Sequence, residues 1–187
     1  MGIYRKSETG MPCVAGIRAE NIKEEFPGIA PDVIDQKNIY FTVNGYWPGH
    51  RNEGKRIIAY LGRSERFLRS LNACYVDLDV SRLPLLEKPD QPEAWQSWRQ
   101  AMATVGEMAD RCEVAQPSIF AKSGRGLYVF WLLRGEENPH QSPPAFQLDF
   151  YKRINAAIQE RLRCVAPDHA AKDGARVLRV PNSKHPN

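Results

Sequence analysis

Hydrophobic and polar positions alternate most clearly over residues 73–80, with the sequence Ala-Cys-Tyr-Val-Asp-Leu-Asp-Val. Successive side chains of a strand point to opposite faces, so the even-numbered positions of this stretch would form an apolar face. The odd-numbered positions would place Asp77 and Asp79 side by side on the other face. The pattern therefore predicts a strand with one face in the core and two neighbouring carboxylates on the other.

Two later stretches show the three- and four-residue spacing of amphipathic helices. The first covers residues 92–113, and the second begins at Ser142-Pro-Pro, with Ser142 as the expected N-cap. The apolar face of the second consists of Leu148, Tyr151, Ile154, Ile158 and Leu162.

A shorter helix is expected over Arg18–Phe26, and residues 55–70 could form another. That helix would place on one side Arg56, Arg63, Arg66 and Arg69. A solvated face is the simpler interpretation of these arginines, and contact with a template is the alternative.

Turn formers dominate residues 44–52, which are expected to form a loop, whereas β-branched and aromatic residues predict several more strands. The strands cover residues 39–43, 117–122, 127–133 and 176–180, and the middle two form a hairpin. From residue 73 onward, the element order is close to a split β-α-β layout, in which two helices cover one face of a sheet. The other face would be free to hold a site. The predicted fold class is α/β, more specifically α+β, in a single domain over residues 1–187.

Charge and composition narrow the classes of protein. The chain has 187 residues with 26 Lys and Arg against 22 Asp and Glu, a formal net charge of +4. Residues 121–187 hold the basic excess, with 11 basic and 6 acidic side chains. No stretch reaches the roughly 18 unbroken apolar residues of a membrane helix, and the N-terminal residues lack the apolar region of a secretory signal. We therefore expect a cytoplasmic protein with no membrane partner.

Asp77 and Asp79 are the strongest indication of chemistry. Aspartate is depleted in strands, and two carboxylates at neighbouring same-face positions repel each other unless a cation lies between them. Mg²⁺ and Mn²⁺ prefer such hard oxygen ligands, and carboxylates that hold two of these ions are the usual apparatus of phosphoryl or nucleotidyl transfer. A pair of solvated aspartates at a strand end is the alternative interpretation.

A second motif is the turn Lys122-Ser-Gly-Arg-Gly126. Its glycines would let backbone N–H groups approach a triphosphate, and the side chains of Lys122, Ser123 and Arg125 would add donors and charge. Taken alone, the motif is equally typical of an ordinary hairpin turn.

A third motif covers residues 172–185. If this segment runs extended, Asp173 and Arg179 would share a face, as a third metal ligand beside a phosphate-binding guanidinium. Taken alone, the segment is equally typical of a charged edge strand that continues into a surface loop.

The three motifs together, in this order and spacing, resemble those of the archaeo-eukaryotic primase superfamily. The matching stretches are Tyr-Val-Asp-Leu-Asp-Val, Ser-Gly-Arg-Gly-Leu-Tyr and Asp-Gly-Ala-Arg-Val-Leu-Arg-Val-Pro-Asn-Ser-Lys-His, within residues 75–185. The chain is most similar to the primase-polymerase branch carried by plasmids, phages and other mobile elements. The resemblance implies a catalytic core with an RRM-like β-sheet, joined to an N-terminal α/β unit.

The resemblance also implies an activity, that of a template-directed DNA primase or polymerase in DNA replication. It implies that two Mg²⁺ or Mn²⁺ ions are held by the catalytic carboxylates of Asp77, Asp79 and Asp173. It implies that the incoming NTP or dNTP contacts Lys122, Ser123, Arg125, Tyr128, Arg179, Ser183, Lys184 and His185. The implied partners are a single-stranded DNA template, a primer, and a helicase or accessory replication domain.

Two features depart from the family's usual pattern. The second motif of the family usually ends in His, whereas this chain has Tyr128, a phenol that stays neutral at pH 7 and cannot supply a charged imidazole. Nucleotide affinity, sugar preference or catalytic strength would change accordingly. The chain also ends two residues after the third motif. Because helicase or accessory domains commonly follow the catalytic unit, we expect a fragment of a longer replication protein.

Two other functions fit parts of the pattern. A catalytically weak or inactive nucleic-acid-binding module for replication initiation would use the basic C-terminal third for backbone contacts, and it would agree with Tyr128. The other nucleotidyltransferase fold also uses Asp-x-Asp, but it needs an adjacent Gly-Ser upstream, and Gly62-Arg-Ser64 is interrupted. That fold also leaves the third motif unexplained.

Overall fold

The structure, a computed structural model, describes most of the chain between residues 39 and 181. The described residues are 2–5, 13–16, 39–47, 49–53, 56–60, 64–83, 93–123, 126–135 and 142–181. Within them, side chains are described at 40–47, 64–83, 97–123, 126–135 and 142–181. The helix predicted over Arg18–Phe26 lies outside the described residues.

The described chain is a mixed α+β structure of short strands and two α-helices. The strands are β1 (Gly2–Arg5), β2 (Cys13–Gly16), β3 (Ile39–Thr42), β4 (Gly45–Tyr46), β5 (Gly49–Glu53), β6 (Arg56–Tyr60), β7 (Leu68–Ser70), β8 (Ala73–Leu78), β9 (Ile119–Lys122), β10 (Leu127–Leu132) and β11 (Val177–Arg179). The helices are α1 (Glu93–Asp110) and α2 (Leu148–Arg161). In the part of the chain that the structure describes, neither helix has both the length and the apolar character to span a membrane.

The strands form small antiparallel sheets. One has the order β8-β10-β9 and contains the predicted hairpin, and the other has the order β11-β3-β1-β2. Strands β4 and β7 form a third sheet of two strands, and β5 and β6 form a fourth. The split β-α-β prediction is therefore wrong for its last strand, because β11 joins β3 in a different sheet from β8 and β10.

The two faces of β8 pack in two different cores, as its alternating sequence predicts. Both helices cover one face, in a core that contains Cys74, Val76, Leu78, Val80, Ala101, Val105, Met108, Tyr151 and Leu162. The opposite face packs in a smaller core that contains Val43, Ala73, Tyr75, Tyr128, Phe130, Ala171 and Leu178. The prediction that two helices share one face is confirmed, but the other face is not free. Asp77 lies where the second core ends and the β8 strand reaches its last residues.

Two side chains of α2 cover the edge of β8 that does not pair with β10. The Asn155 side-chain oxygen accepts a hydrogen bond from the backbone N–H of Tyr75 at 2.9 Å. The Tyr151 hydroxyl donates to the backbone oxygen of Ala73 at 3.1 Å. Because an unpaired buried backbone group costs about 1–3 kcal/mol, these bonds fix α2 against the strand.

The segment after α2 covers the rest of that edge with its own backbone. The N–H of Asp168 donates to the backbone oxygen of Asp77 at 2.7 Å, and the N–H of Asp79 donates to the backbone oxygen of Ala166 at 2.9 Å. This pairing places Asp168 directly beside the carboxylate pair that the sequence predicts.

Residues 44–70 differ from the sequence-based expectation. The expected loop over residues 44–52 contains β4 and most of β5, and the expected helix over 55–70 is replaced by β6, a short 3-10 helix (Glu65–Phe67) and β7. Two consecutive β-branched side chains, Ile57 and Ile58, favour the extended β5/β6 hairpin. Arginine spacing alone therefore did not predict a helix correctly.

The start of α2 also differs. A 3-10 turn (Ala145–Gln147) precedes the helix, and Gln147, not Ser142, occupies the N-cap position without a side-chain cap. Pro144 is extended and forms a bridge with Ser70, so the proline pair continues the β7 pairing and does not open the helix.

Candidate active site

A cleft of about 710 Å³ lies at the end of β8. Three carboxylates line it, those of Asp77, Asp79 and Asp168. Three guanidinium groups face them, those of Arg82, Arg176 and Arg179. The lining also contains the hydroxyl groups of Tyr40, Ser123 and Tyr128, and the imidazole of His169. The structure thus brings together five of the residues predicted from sequence, namely Asp77, Asp79, Ser123, Tyr128 and Arg179.

Asp77 is the most buried carboxylate of this group and lies opposite Tyr128 in the β8/β10 register. Burial is the main reason why the pKa of Asp77 is raised to about 6, and the neighbouring carboxylates of Asp168 and Asp79 raise it further. The guanidinium groups of Arg176 and Arg179 oppose the rise. Asp77 is therefore a carboxylate whose charge the protein alone compensates only in part.

Asp79 lies just after β8, where the backbone leaves the strand for a 3-10 turn (Val80–Arg82). Its carboxylate pairs with the guanidinium of Arg82 at 2.8 Å and accepts a hydrogen bond from the Ser81 hydroxyl. The Arg82 side chain is 76% exposed, so this ion pair is held mainly in solvent and stabilises the turn by about 1 kcal/mol or less. The pair can open without a large cost.

Asp168 is a site residue that the sequence analysis missed. Its carboxylate accepts a hydrogen bond from the backbone N–H of Ala170 at 2.9 Å and lies 3.3 Å from Arg176. Residues 166–168 reach Asp77 only through the edge pairing with β8, a contact between distant parts of the chain. The one local signal is Asp-x-Ala after a helix, a common turn pattern that does not indicate an active site.

Arg176 connects the cleft to Asp173. Its guanidinium lies 3.3 Å from Asp168 and 4.0 Å from Asp173, and it also donates to the backbone oxygen of Ala170. Asp173 is in a turn, 45% exposed, and does not line the cleft. Because the chain turns at residues 174–175, Asp173 and Arg179 do not share an extended face. The role of Asp173 as a metal ligand stays a prediction.

The second motif turns beside Asp77. A Cβ on Gly126 would lie 3.2 Å from Oδ1 of Asp77, so the turn and the carboxylate are in close contact. The indole N–H of Trp98, on α1, donates to the backbone oxygen of Gly126 at 3.0 Å. The Lys122 ammonium lies 4.3 Å from the Trp98 ring centroid, away from the cleft lining. Trp98 of α1 thus anchors the turn.

Tyr128 joins the two larger sheets beside the cleft. Its hydroxyl accepts a hydrogen bond from the backbone N–H of Arg179 at 3.0 Å, and Ser123 is a second partner. Its ring is 4% exposed. Burial raises the pKa of Tyr128 to about 12, so the phenol is neutral at physiological pH. Tyr128 therefore holds the backbone of a cleft arginine.

The Tyr128→Phe variant removes that acceptor and keeps the ring. We expect a stability loss of about 1–2 kcal/mol, since the Arg179 N–H loses its partner. Urea unfolding measures this loss. An unchanged unfolding free energy would show that this hydrogen bond does not stabilise the fold.

The residues of the cleft have the right chemistry for a hard divalent cation. Three carboxylates share one lining, and a bound cation would offset both the burial and the carboxylate repulsion that raise the pKa of Asp77. Among the described side chains, however, no three His, Cys, Asp or Glu residues are close enough to form a metal-binding group. The carboxylate of Asp79 is paired with Arg82 in this structure.

Four of the predicted nucleotide contacts lie outside the described residues. These are Arg125, Ser183, Lys184 and His185. Their roles stay predictions. Sequence reasoning did not assign Asp168 and Arg176, although Arg176 lies within the third motif. It also did not assign three other polar residues of the lining, Tyr40, Arg82 and His169.

Comparisons with known proteins assign no family to the chain. It matches no protein-family model, no curated protein and no solved structure. The chemistry of the cleft, where residues of three sequence motifs meet, is therefore the basis for a proposal about function.

Proposed function

We propose that the protein is a template-directed DNA primase or polymerase that transfers a nucleotide from an NTP or dNTP to a primer 3′-hydroxyl or to an initiating nucleotide. The observation that carries the proposal is the composition of one cleft. Carboxylates from the first motif and the guanidinium of Arg179 from the third motif line it together with Ser123 from the second. Three motifs far apart in sequence thus contribute to one cavity.

The mixture of charges suits a nucleoside triphosphate with its metal ions. Carboxylates alone would repel a polyphosphate, whereas guanidinium and hydroxyl groups bind phosphate oxygens. Carboxylates beside them are suited to Mg²⁺ or Mn²⁺, which supplies charge neutralisation at the transferred phosphoryl group when bound. A cleft with both kinds of group fits nucleotidyl transfer better than binding of a plain anion.

Each of the main site residues has a defined role in this proposal. Asp77 and Asp79 would hold the two ions, with Asp168 or Asp173 as the third carboxylate. Arg179 and Ser123 bind and orient the triphosphate, and the neutral Tyr128 fixes the backbone of Arg179. The chain supplies no covalent nucleophile, because the attacking group is the hydroxyl of the primer or of the first nucleotide.

The proposed fold is the core of the archaeo-eukaryotic primases, with the β8-β10-β9 sheet as the RRM-like part and the residues before β7 as the N-terminal α/β unit. Support comes from the two helices on one face of that sheet. In the same proposal the protein works in the cytoplasm beside a helicase or accessory replication domain.

The direct test is synthesis by the purified chain on a single-stranded DNA template, with NTPs or dNTPs and either Mg²⁺ or Mn²⁺. We expect extended or primed products that depend on the template and vanish with EDTA. Template binding without any product, over both metals and both nucleotide types, would favour the inactive replication-initiation module. The engagement of Asp79 by Arg82 is the observation that favours that second function.

The third carboxylate can be identified by a pair of variants. From the contact of Asp168 with Asp77, we expect Asp168→Asn to lower synthesis by about 100-fold and Asp173→Asn to have a smaller effect. Asparagine keeps the side-chain oxygen that accepts from Ala170, so the turn is preserved. Asp149→Asn, on the exposed start of α2, is the matched control. The reverse ranking would restore the assignment of Asp173 from the family resemblance.

A further inference from the structure

We propose that a surface around β7, away from the cleft lining, binds single-stranded nucleic acid. The β7 surface consists of Trp47, Arg66, Phe67, Arg69 and Phe146. Its assignment as the path of the template depends on the proposed function, whereas the binding itself does not. Backbone pairing around β7 holds these aromatic and cationic side chains together.

The backbone brings the members of the β7 surface together from three parts of the chain. On one side of β7, the N–H of Trp47 donates to the backbone oxygen of Phe67 at 2.7 Å. On the other side, the N–H of Leu71 donates to the backbone oxygen of Pro143 at 2.8 Å, and Pro144 forms a bridge with Ser70. The segment that leads into Phe146 therefore runs beside β7, opposite β4.

Aromatic rings are exposed on this surface to an unusual degree. Trp47 is 54% exposed and Phe146 is 84% exposed. Large aromatic side chains normally bury most of their area, so two such rings on the segments that flank β7 indicate a surface that meets a ligand.

Each ring on the β7 pairing is accompanied by a guanidinium. The Cζ atom of Arg69 lies 4.6 Å from the Trp47 ring centroid, and that of Arg66 lies 4.6 Å from the Phe67 ring centroid. Neither arginine forms an ion pair with a residue that the structure describes. The neighbouring acid Glu65 is paired with Lys152 at 2.6 Å. The surface thus has a net positive charge next to its rings.

This composition matches single-stranded nucleic acid more closely than a protein partner. Aromatic rings stack on unpaired bases, and cations beside them neutralise the phosphates that connect those bases. Two arginines with no acidic partner among the described side chains add charge complementarity to a polyanion. An apolar protein partner would gain nothing from these two charges and would have to desolvate them.

Two neighbours of the β7 surface contact the turn that leads to the cleft. The Glu65 carboxylate accepts a hydrogen bond from the N–H of Gly174 at 3.3 Å, and the Tyr46 hydroxyl donates to the Gly174 backbone oxygen at 3.5 Å. Asp173 precedes Gly174 and pairs with Arg176 of the cleft. The β7 surface and the cleft are therefore linked through this turn.

Fluorescence anisotropy of the full chain with a labelled oligodeoxynucleotide of about 20 nucleotides tests this inference, in EDTA and without nucleotide so that no synthesis occurs. We expect Trp47→Ala to weaken binding about tenfold and Trp47→Phe to retain it within about threefold, because the ring is kept. Arg69→Ala should lower the slope of log affinity against log salt by about 0.7.

The matched controls are Ile119→Ala on β9 and Arg163→Ala, since both side chains are exposed (45% and 77%) and lie outside the β7 surface. Their affinities should equal that of the wild type, and all variants should unfold at the same urea concentration. Equal losses in the controls, or wild-type affinity in Trp47→Ala and Arg69→Ala, would overturn the inference. Trp47-dependent binding in a chain that makes no product would support this surface and refute the proposed function.

Discussion

The Asp77→Asn variant is expected to lose at least about 100-fold of metal-dependent synthesis. The amide would keep the size of the side chain and its place opposite Tyr128, but it would carry no negative charge to hold a divalent cation. The measurement is product formation on a primed template with Mn²⁺, beside the exposed Asp149→Asn as control. Full activity in the Asp77 variant would remove Asp77 from the site.

The same substitution should stabilise the metal-free protein, with a defined dependence on pH. The pKa of Asp77 in the folded state is raised to about 6 from an ordinary value of 3.8, so the folded protein binds this proton more tightly than the unfolded chain. The favourable contribution is complete below pH 3.8 and is lost as pH rises through about 6. At pH 7 the ionised carboxylate costs the fold about 2–3 kcal/mol.

Urea unfolding in EDTA at several pH values measures this cost. The difference in unfolding free energy between Asp77→Asn and the wild type should be near zero at pH 4 and grow to about 2 kcal/mol above pH 6.5. A difference in unfolding free energy that does not change with pH would show that the ionised carboxylate does not destabilise the folded protein. The expected opposite signs, lost activity and gained stability, are typical of a site that the fold does not favour by itself.

The Gly126→Ala variant is expected to disturb both stability and synthesis. A Cβ there would lie 2.7 Å from the backbone oxygen of Leu78 and 2.6 Å from the Ser123 hydroxyl oxygen. The serine can rotate, but Leu78 is fixed by its pairing with β10, so the turn must move away from the strand. We expect a loss of about 1–3 kcal/mol and a large drop in activity, since Asp77 lies on the same side.

Gly106→Ala is the matched control for that experiment. Gly106 is inside α1, and a Cβ on it meets no atom within 4 Å. Alanine should therefore stabilise the helix by about 0.5–1 kcal/mol and leave synthesis unchanged. Urea unfolding and the synthesis assay, applied to both variants, separate the two cases. Wild-type behaviour of Gly126→Ala would show that the turn adapts easily.

Local sequence patterns correctly predicted the strands and helices whose conformation depends mainly on their own residues. The alternation over residues 73–80 gives β8 and its two faces, and the spacing over residues 92–113 gives α1 (Glu93–Asp110). The glycine turn gives the β9/β10 hairpin. The sequence-based predictions were wrong where contacts with other strands determine the conformation. In residues 55–70, for example, pairing with β5 determines the conformation of β6.

The candidate site was predicted in part, for the same reason. Asp77, Ser123 and Arg179 belong to recognisable motifs, and the structure places all three on one cleft. Asp168 has no such motif, because its position depends on a backbone hydrogen bond to a strand far away in the sequence. The contact of Tyr128 with the Arg179 backbone is equally non-local and could not be inferred from the sequence.

The hydrogen bonds from Tyr151, Asn155 and Asp168 to β8 also affect how the chain emerges from the ribosome. Strand β8 is made before residues 151–168, so its edge stays bare until they follow. A bare edge invites pairing with other chains, and charged side chains on such a strand discourage it. Asp77 on this strand and Asp79 directly after it carry like charges, which disfavour pairing between two such edges. The carboxylates of the cleft therefore also oppose association of incompletely folded chains.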